Sequence, residues 1–234
     1  MKLVYPVLAA LALLFTAQAY ADDADTIRTN LTRNHPGAKI KSIQPSPVPG
    51  IYEVYANGQL LYVSKNAEFV FVGANLFNDE TKQNLTAQRM QQLTTIDFDK
   101  LPLNNAIAVK KGDGSHKFAV FTDPDCPYCK SLEQTLENRG LTDYTAYIFL
   151  LPLEQIHPDA RAKAEAIWCA KDRAAAWHGW MIEQKLPEKA TCETPIDANR
   201  QLAEDLSVNG TPTIYLSDGT VAPPEALLQS LSEK

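Results

Sequence analysis

Past the first fifteen residues, no apolar run approaches the roughly 20 residues that a bilayer-spanning helix needs. The rest of the chain is therefore not expected to sit in a membrane. Excess positive charge is missing too. The 234 residues carry 22 Lys and Arg against 28 Asp and Glu, a formal charge of −6. Such a balance gives no electrostatic reason to seek nucleic acid or an anionic lipid surface. Histidine is scarce. The four, at positions 35, 116, 157 and 178, make no ligand motif, and neither a metal site nor a cofactor is expected. No internal repeat is visible, and the prolines near 45–49 are the one compositionally biased tract, which excludes a repeat array.

What the N-terminus does have is export character. Met1-Lys2 is followed by an apolar stretch from Leu3 to Phe15, then by the small-residue pattern Ala17-Gln18-Ala19-Tyr20-Ala21 and the acidic Asp22-Asp23. This reads as a cleaved signal peptide over residues 1–21, too short for a membrane anchor. Cleavage removes one lysine and no acid, so the mature chain is slightly more acidic still. Hydrophobic residues make up 45% of the chain, enough for a sizeable core, and the length suits one large domain or two small ones.

Residues 22–78 read as a small α+β domain. Asp25 is placed to cap a helix running to Asn34, with Ile27 and Leu31 on one face and Pro36-Gly37 beyond its end. Gln44 to Gly50, rich in proline, reads as loop. Ile51–Ala56 and Gln59–Ser64 flank Asn57-Gly58, which supplies the two positive-φ positions of a type I′ hairpin turn. Glu68 to Val72 reads as a third strand. Three strands and one helix give a very small core, and no cysteine lies there to staple it, so this region is expected to associate. Asp79 to Leu93 consists of helix formers that are polar around the circumference. It reads as a linker helix, within a linker at 79–98.

From residue 99 onward strands and helices alternate in an α/β order. Lys117–Phe121 reads as a buried strand, followed by a cysteine pair and by Cys129, Leu132 and Leu136 at helical spacing up to Gly140. Tyr144–Leu151 and Thr213–Leu216 read as further strands. Helical patterns around 160–169 and 174–184 form an insertion, and 224–231 a terminal helix.

The four cysteines divide into two unlike pairs. Cys126-Pro127-Tyr128-Cys129 lies at a strand-to-helix junction. There the first sulfur meets the unpaired amides and positive dipole end of the helix, an arrangement expected to lower its thiol pKa from about 8.5 toward or below neutrality. Pro127 suits the first helical position, and Tyr128 adds no charge. Cys129 lies a turn inward, placed to resolve a mixed disulfide formed by Cys126. Zinc would require Cys169 and Cys192 as partners, which are not closely spaced. A structural bridge over so small a loop would restrict the unfolded chain little. Cys169 and Cys192 instead enclose 22 residues, and a bridge there is worth roughly 3 kcal/mol. Cys169 reads as mid-helix, and this pair reads as a structural disulfide, with a second redox relay as the alternative. Thr211-Pro212 precedes the late strand. By base rate, an ordinary trans turn is expected, since X-Pro is cis in about 5–6% of cases.

Phe121-Thr122-Asp123 before the Cys-Pro-Tyr-Cys motif, Ala166 to Asp172, and Gly210-Thr211-Pro212 together resemble the bacterial periplasmic disulfide isomerase family, the DsbC/DsbG type. The resemblance covers essentially the whole mature chain. It implies a V-shaped homodimer with strand-paired N-terminal domains, linker helices and a C-terminal thioredoxin fold (99–234) carrying a helical insertion. It implies periplasmic location, misoxidised exported proteins as substrates, and a membrane-bound thiol reductant as electron donor. It implies that Thr211-Pro212 is a cis-proline loop that binds substrate as an added strand. Typical isomerases of the family carry Gly-Tyr between the cysteines. Pro-Tyr is similar to the DsbG branch, associated with reduction of sulfenic acids and with chaperone activity, whereas the second cysteine pair and Trp168 are nearer to DsbC.

Overall fold

Asn57 and Gly58 both adopt positive φ, 49° and 72°, and reverse the chain between β2 (Ile51–Ala56) and β3 (Gln59–Ser64). Asn57 also accepts the Lys39 amide on its side-chain oxygen at 2.9 Å, tying the turn to the strand before it. These features belong to the first unit of a computed structural model that describes residues 22–232. The signal-peptide reading of residues 1–21 lies outside the described residues. The chain divides into two compact units between Leu93 and Thr94, within the segment read as a linker.

In the first unit, residues 22–34 form helix α1. A four-stranded antiparallel sheet runs in the order β1 (Ile40–Pro45), β2, β3, β4 (Val70–Phe71). Ile27 and Leu31 of α1 pack on Ile43, Val54 and Val63, so the core is one helix stripe against one sheet face. Asp25 does not cap this helix. The helix is already formed at Asp22, whose carbonyl accepts the Thr26 hydroxyl at 2.8 Å. The proline-rich stretch also begins later than expected, because Gln44 and Pro45 belong to β1. Proline is tolerated there because β1 lies at the edge of the sheet and Pro45 at the strand's end. The third strand expected over 68–72 is reduced to two residues.

The helix expected from Asp79 starts only at Leu85. Residues 79–82 turn instead, joining β5 (Phe77–Asn78) to β6 (Gln83–Asn84). The Asn78 side chain accepts the amides of Glu80 and Thr81, each at 3.0 Å, a local bond that outcompetes helix. Asn84 then accepts the Ala87 amide at 3.0 Å and caps α2 (Leu85–Thr94).

The second unit holds a five-stranded sheet in the order β11 (Val221–Ala222), β10 (Thr213–Leu216), β8 (His116–Thr122), β9 (Tyr144–Leu150), β7 (Ile107–Lys111). β8 and β9 pair in parallel; the other pairs are antiparallel. Helix α3 (Pro127–Asn138) is the crossover between β8 and β9. Alternation along β8 sends Phe118 and Val120 to one face and Ala119 and Phe121 to the other. The first face is covered by Leu132 and Leu136 of α3 and by Ile167 and Trp177. These come from α4 (Ala160–Trp168) and α5 (Arg173–Met181), with α7 (Pro224–Ser232) alongside. The second face packs Phe149, Phe98, Tyr215 and Ala203 of α6 (Ile196–Leu206). Burial on both sides explains why β8 and β9 read as near-continuous apolar runs. Helix α6 and strands β7 and β11 escaped the sequence reading. Cys169, read as mid-helix, is the C-terminal cap of α4.

Candidate active site

The end of β8 delivers the chain into a tight turn that sets the first residues of α3. Asp123 is fully buried, and both its carboxylate oxygens are engaged. Oδ1 accepts the Asp125 amide at 2.7 Å. Oδ2 accepts the Leu153 amide at 2.7 Å and faces His157 Nδ1 at 3.0 Å. The Asp123 carbonyl accepts the Cys126 amide at 3.2 Å, closing the turn. Cys126 is thereby held as the N-cap residue of α3, with Pro127 at the start of the helix. This places the sulfur beside amides that have no intrahelical acceptor.

Both cysteines of the pair are free thiols with little exposure, 5% for Cys126 and 1% for Cys129. They differ in surroundings. Cys126 Sγ donates to the Thr211 carbonyl at 3.3 Å, and the Thr211–Pro212 bond is cis, as the family resemblance implies and against the trans form expected by base rate. Burial pushes the Cys129 thiol up to about 12. The Asp123 amide and the Thr122 hydroxyl, both hydrogen-bonded to it, pull against this, and the Cys126 sulfur adds to the rise. Cys129 therefore rests as a thiol. Tyr128 projects outward at 74% exposure.

The helical insertion supports the turn from its other side, through residues that sequence reasoning missed. Trp180 Nε1 donates to the Pro124 carbonyl at 2.7 Å. Lys163 pairs with Asp125 at 2.7 and 2.8 Å. Trp180 also receives two ammonium groups, Lys130 at 4.6 Å and Lys163 at 5.2 Å from its ring centroid. The only sequence signal for this cluster was its composition, a tryptophan and a lysine in helices otherwise rich in alanine. Cys169 and Cys192 are bonded to each other, with Cα atoms 5.7 Å apart, and close the loop that contains α5. Among the described residues, no group of three or more His, Cys, Asp or Glu is placed to hold a metal ion.

A strand, a cysteine pair at a helix N-terminus and a facing cis-proline define a thiol–disulfide oxidoreductase of thioredoxin fold. Comparison with known proteins narrows the class. The family described as Disulfide bond isomerase protein N-terminal domain matches residues 17–87, and the Thioredoxin-like domain matches residues 103–233. The chain is 36% identical over 204 residues to the probable thiol:disulfide interchange protein DsbC of Bordetella pertussis, covering 87% of this chain and 71% of that one. It is 30% identical over 211 residues to the thiol:disulfide interchange protein DsbC of Escherichia coli K12, covering 89% and 85% respectively. The crystal structure of a disulfide interchange protein from Neisseria gonorrhoeae aligns with a TM-score of 0.52 at 37% identity. That alignment covers 57% of this chain and all of the other. The chain belongs to the DsbC family of thiol:disulfide interchange enzymes.

Proposed function

We propose that Cys126 is the nucleophile and Cys129 the resolving residue of a disulfide isomerase acting on misoxidised exported proteins. The Cys126 thiolate attacks one sulfur of a substrate disulfide. A Cys126–substrate disulfide forms, and the second substrate cysteine leaves as thiolate. In isomerisation, that thiolate or another substrate thiolate attacks elsewhere and finally displaces Cys126, with no net electron transfer. In reduction, Cys129 gives up its proton and attacks Cys126. The pair is then oxidised, and two electrons pass to the substrate as two thiols.

The observation that carries the isomerase reading is the geometry of the pair: Cys126 at the start of α3 against the carbonyl beside the cis Thr211–Pro212 bond, with Cys129 buried behind it, where burial favours the thiol. A resolving group that stays protonated leaves the mixed disulfide time to rearrange. Pro127 and Tyr128 tune the centre, and Thr211 and Pro212 present backbone to the substrate as an added strand. The test is refolding of a scrambled multi-disulfide protein. Cys126→Ala should abolish the activity, and wild-type activity in that variant would refute the mechanism.

Residues 22–78 would serve as the dimerisation domain, 79–98 as the linker and 99–234 as the catalytic domain. Phe69, Phe71, Val72 and Phe77 lie exposed in the first unit, an apolar surface suited to a second copy. A monomeric mass at micromolar concentration would count against this. Residues 1–21 would direct export to the periplasm, where a membrane-bound thiol reductant would keep the pair reduced. Thiol trapping in cells should find Cys126 and Cys129 mostly as thiols. Pro127 supports a second reading, a reductase of sulfenic acids with cysteine-independent chaperone activity. In that case a variant lacking both Cys126 and Cys129 still suppresses aggregation.

A further inference from the structure

A groove of about 530 Å³ opens at the Thr211–Pro212 edge of the site and runs along α3 toward the start of α7. Its lining includes Tyr128, Leu132, Pro212 and Leu228, with Arg139 at the far end of α3 and Glu225 on α7. Neither Arg139 nor Glu225 has an ion-pair partner among the described residues. The two charges come from the α3 end and the α7 end of the lining, which also holds Ser131 and Thr135 beside the apolar residues. Thr211, at the catalytic end, has a buried hydroxyl with no hydrogen-bond partner, a polar atom that a guest backbone could satisfy.

From Tyr128 to Arg139 the helix rises about 16 Å at roughly 1.5 Å per residue. An extended chain covers that distance in about five residues at roughly 3.3 Å each. Its successive side chains point to opposite sides, so the α3 wall and the α7 wall would meet different residues of the guest. We infer that this groove is a specificity subsite for an extended substrate segment beside the attacked cysteine. The segment is apolar near that cysteine and carries an acidic side chain about five residues away, at Arg139. The inference rests on the role of Cys126 proposed above and adds which sequences around a disulfide are preferred.

The test uses short peptides, each with one cysteine in mixed disulfide with 2-mercaptoethanol and apolar neighbours. An aspartate or a lysine stands five residues before the cysteine in one series and five after it in another. Rate constants for attack by the reduced full-length protein are measured at physiological salt for wild type and Arg139→Glu. In one series, the aspartate-to-lysine rate ratio should fall about tenfold on charge reversal, as expected for partly exposed ion pairs. A change below about threefold in both series would overturn the subsite. So would an equal change for peptides carrying the charge two residues from the cysteine, because that would report net charge alone. Bis(2-hydroxyethyl) disulfide, too small to fill the groove, separates the two levels. If the wild-type protein fails to react with it, the proposed role of Cys126 fails, not the groove alone.

Discussion

Glu133 lies on α3 one helical turn beyond Cys129, half-buried, with Trp177 Nε1 of α5 donating to its Oε1 at 3.0 Å. Burial pushes its carboxyl up from the ordinary 4.5 to about 7. The Trp177 bond and the nearby His178 and Lys111 oppose the rise, and Glu137 adds to it. The folded state therefore holds this proton more tightly than the unfolded state does. The Glu133 contribution to stability is fully present below about pH 4.5, declines as pH rises toward 7, and is flat above that. At about 1.4 kcal/mol per pKa unit, the decline amounts to about 3 kcal/mol. Glu133→Gln keeps an acceptor for Trp177 and removes the titration. The variant should match wild type near pH 4.5 and exceed its stability by up to about 3 kcal/mol at pH 8. Urea unfolding followed by tryptophan fluorescence measures this directly, since all three tryptophans (168, 177 and 180) lie in the second unit. A stability difference that stays within about 0.5 kcal/mol from pH 4.5 to 8 would refute the assignment.

Three further outcomes follow from the same structure. Replacing both Cys169 and Cys192 by serine should lower the unfolding free energy of the second unit by roughly 3 kcal/mol, read from urea midpoints. Gly219 has φ of +82°, and an added Cβ would sit 1.8 Å from the Ile96 carbonyl oxygen, which cannot move without breaking the bond between the Ile96 amide and the Gly219 carbonyl. Gly219→Ala should therefore cost more than about 2 kcal/mol in the same assay, and a near-neutral result would be inconsistent with that packing. Asp125→Asn leaves Lys163 without its carboxylate and removes a negative charge next to Cys126. Alkylation of Cys126 at pH 6 should speed up about threefold, whereas Lys163→Met should slow it.

How much of this was legible in the sequence depends on how local each feature is. The Asn57-Gly58 hairpin is fixed by two adjacent residues, and both of its strands have the boundaries expected of them. The run from Phe118 to Leu136 combines a doubly buried strand with a helical stripe, and it was equally readable. Local bonds also produced the misreadings. Asn78 captures the amides of Glu80 and Thr81, so a stretch of good helix formers becomes a turn. Propensity summed along a window does not register one side chain that competes for two backbone donors. Helix α6 was missed for a different reason. Its buried face is thin, with Ile196, Asn199 and Ala203 fully enclosed, and a buried asparagine reads as polar in any periodicity count. Only the fold shows Asn199 donating to the carbonyls of Asn105 and Leu150.

The candidate site divides along the same line. Its two cysteines, Cys126 and Cys129, lie three positions apart in the chain, so the motif that holds them was visible. What sets their properties comes from far along the chain: Leu153 and His157 on Asp123, Lys163 on Asp125, Trp180 on Pro124, and Thr211 on Cys126. Each of these contacts spans at least 30 residues, and all of the partners but Thr211 lie in the helical insertion or in the segment that leads into it. The insertion is therefore more than an appendage stapled by Cys169 and Cys192. It supplies a hydrogen bond to the Pro124 carbonyl and an ion pair to Asp125, on the two residues that precede Cys126.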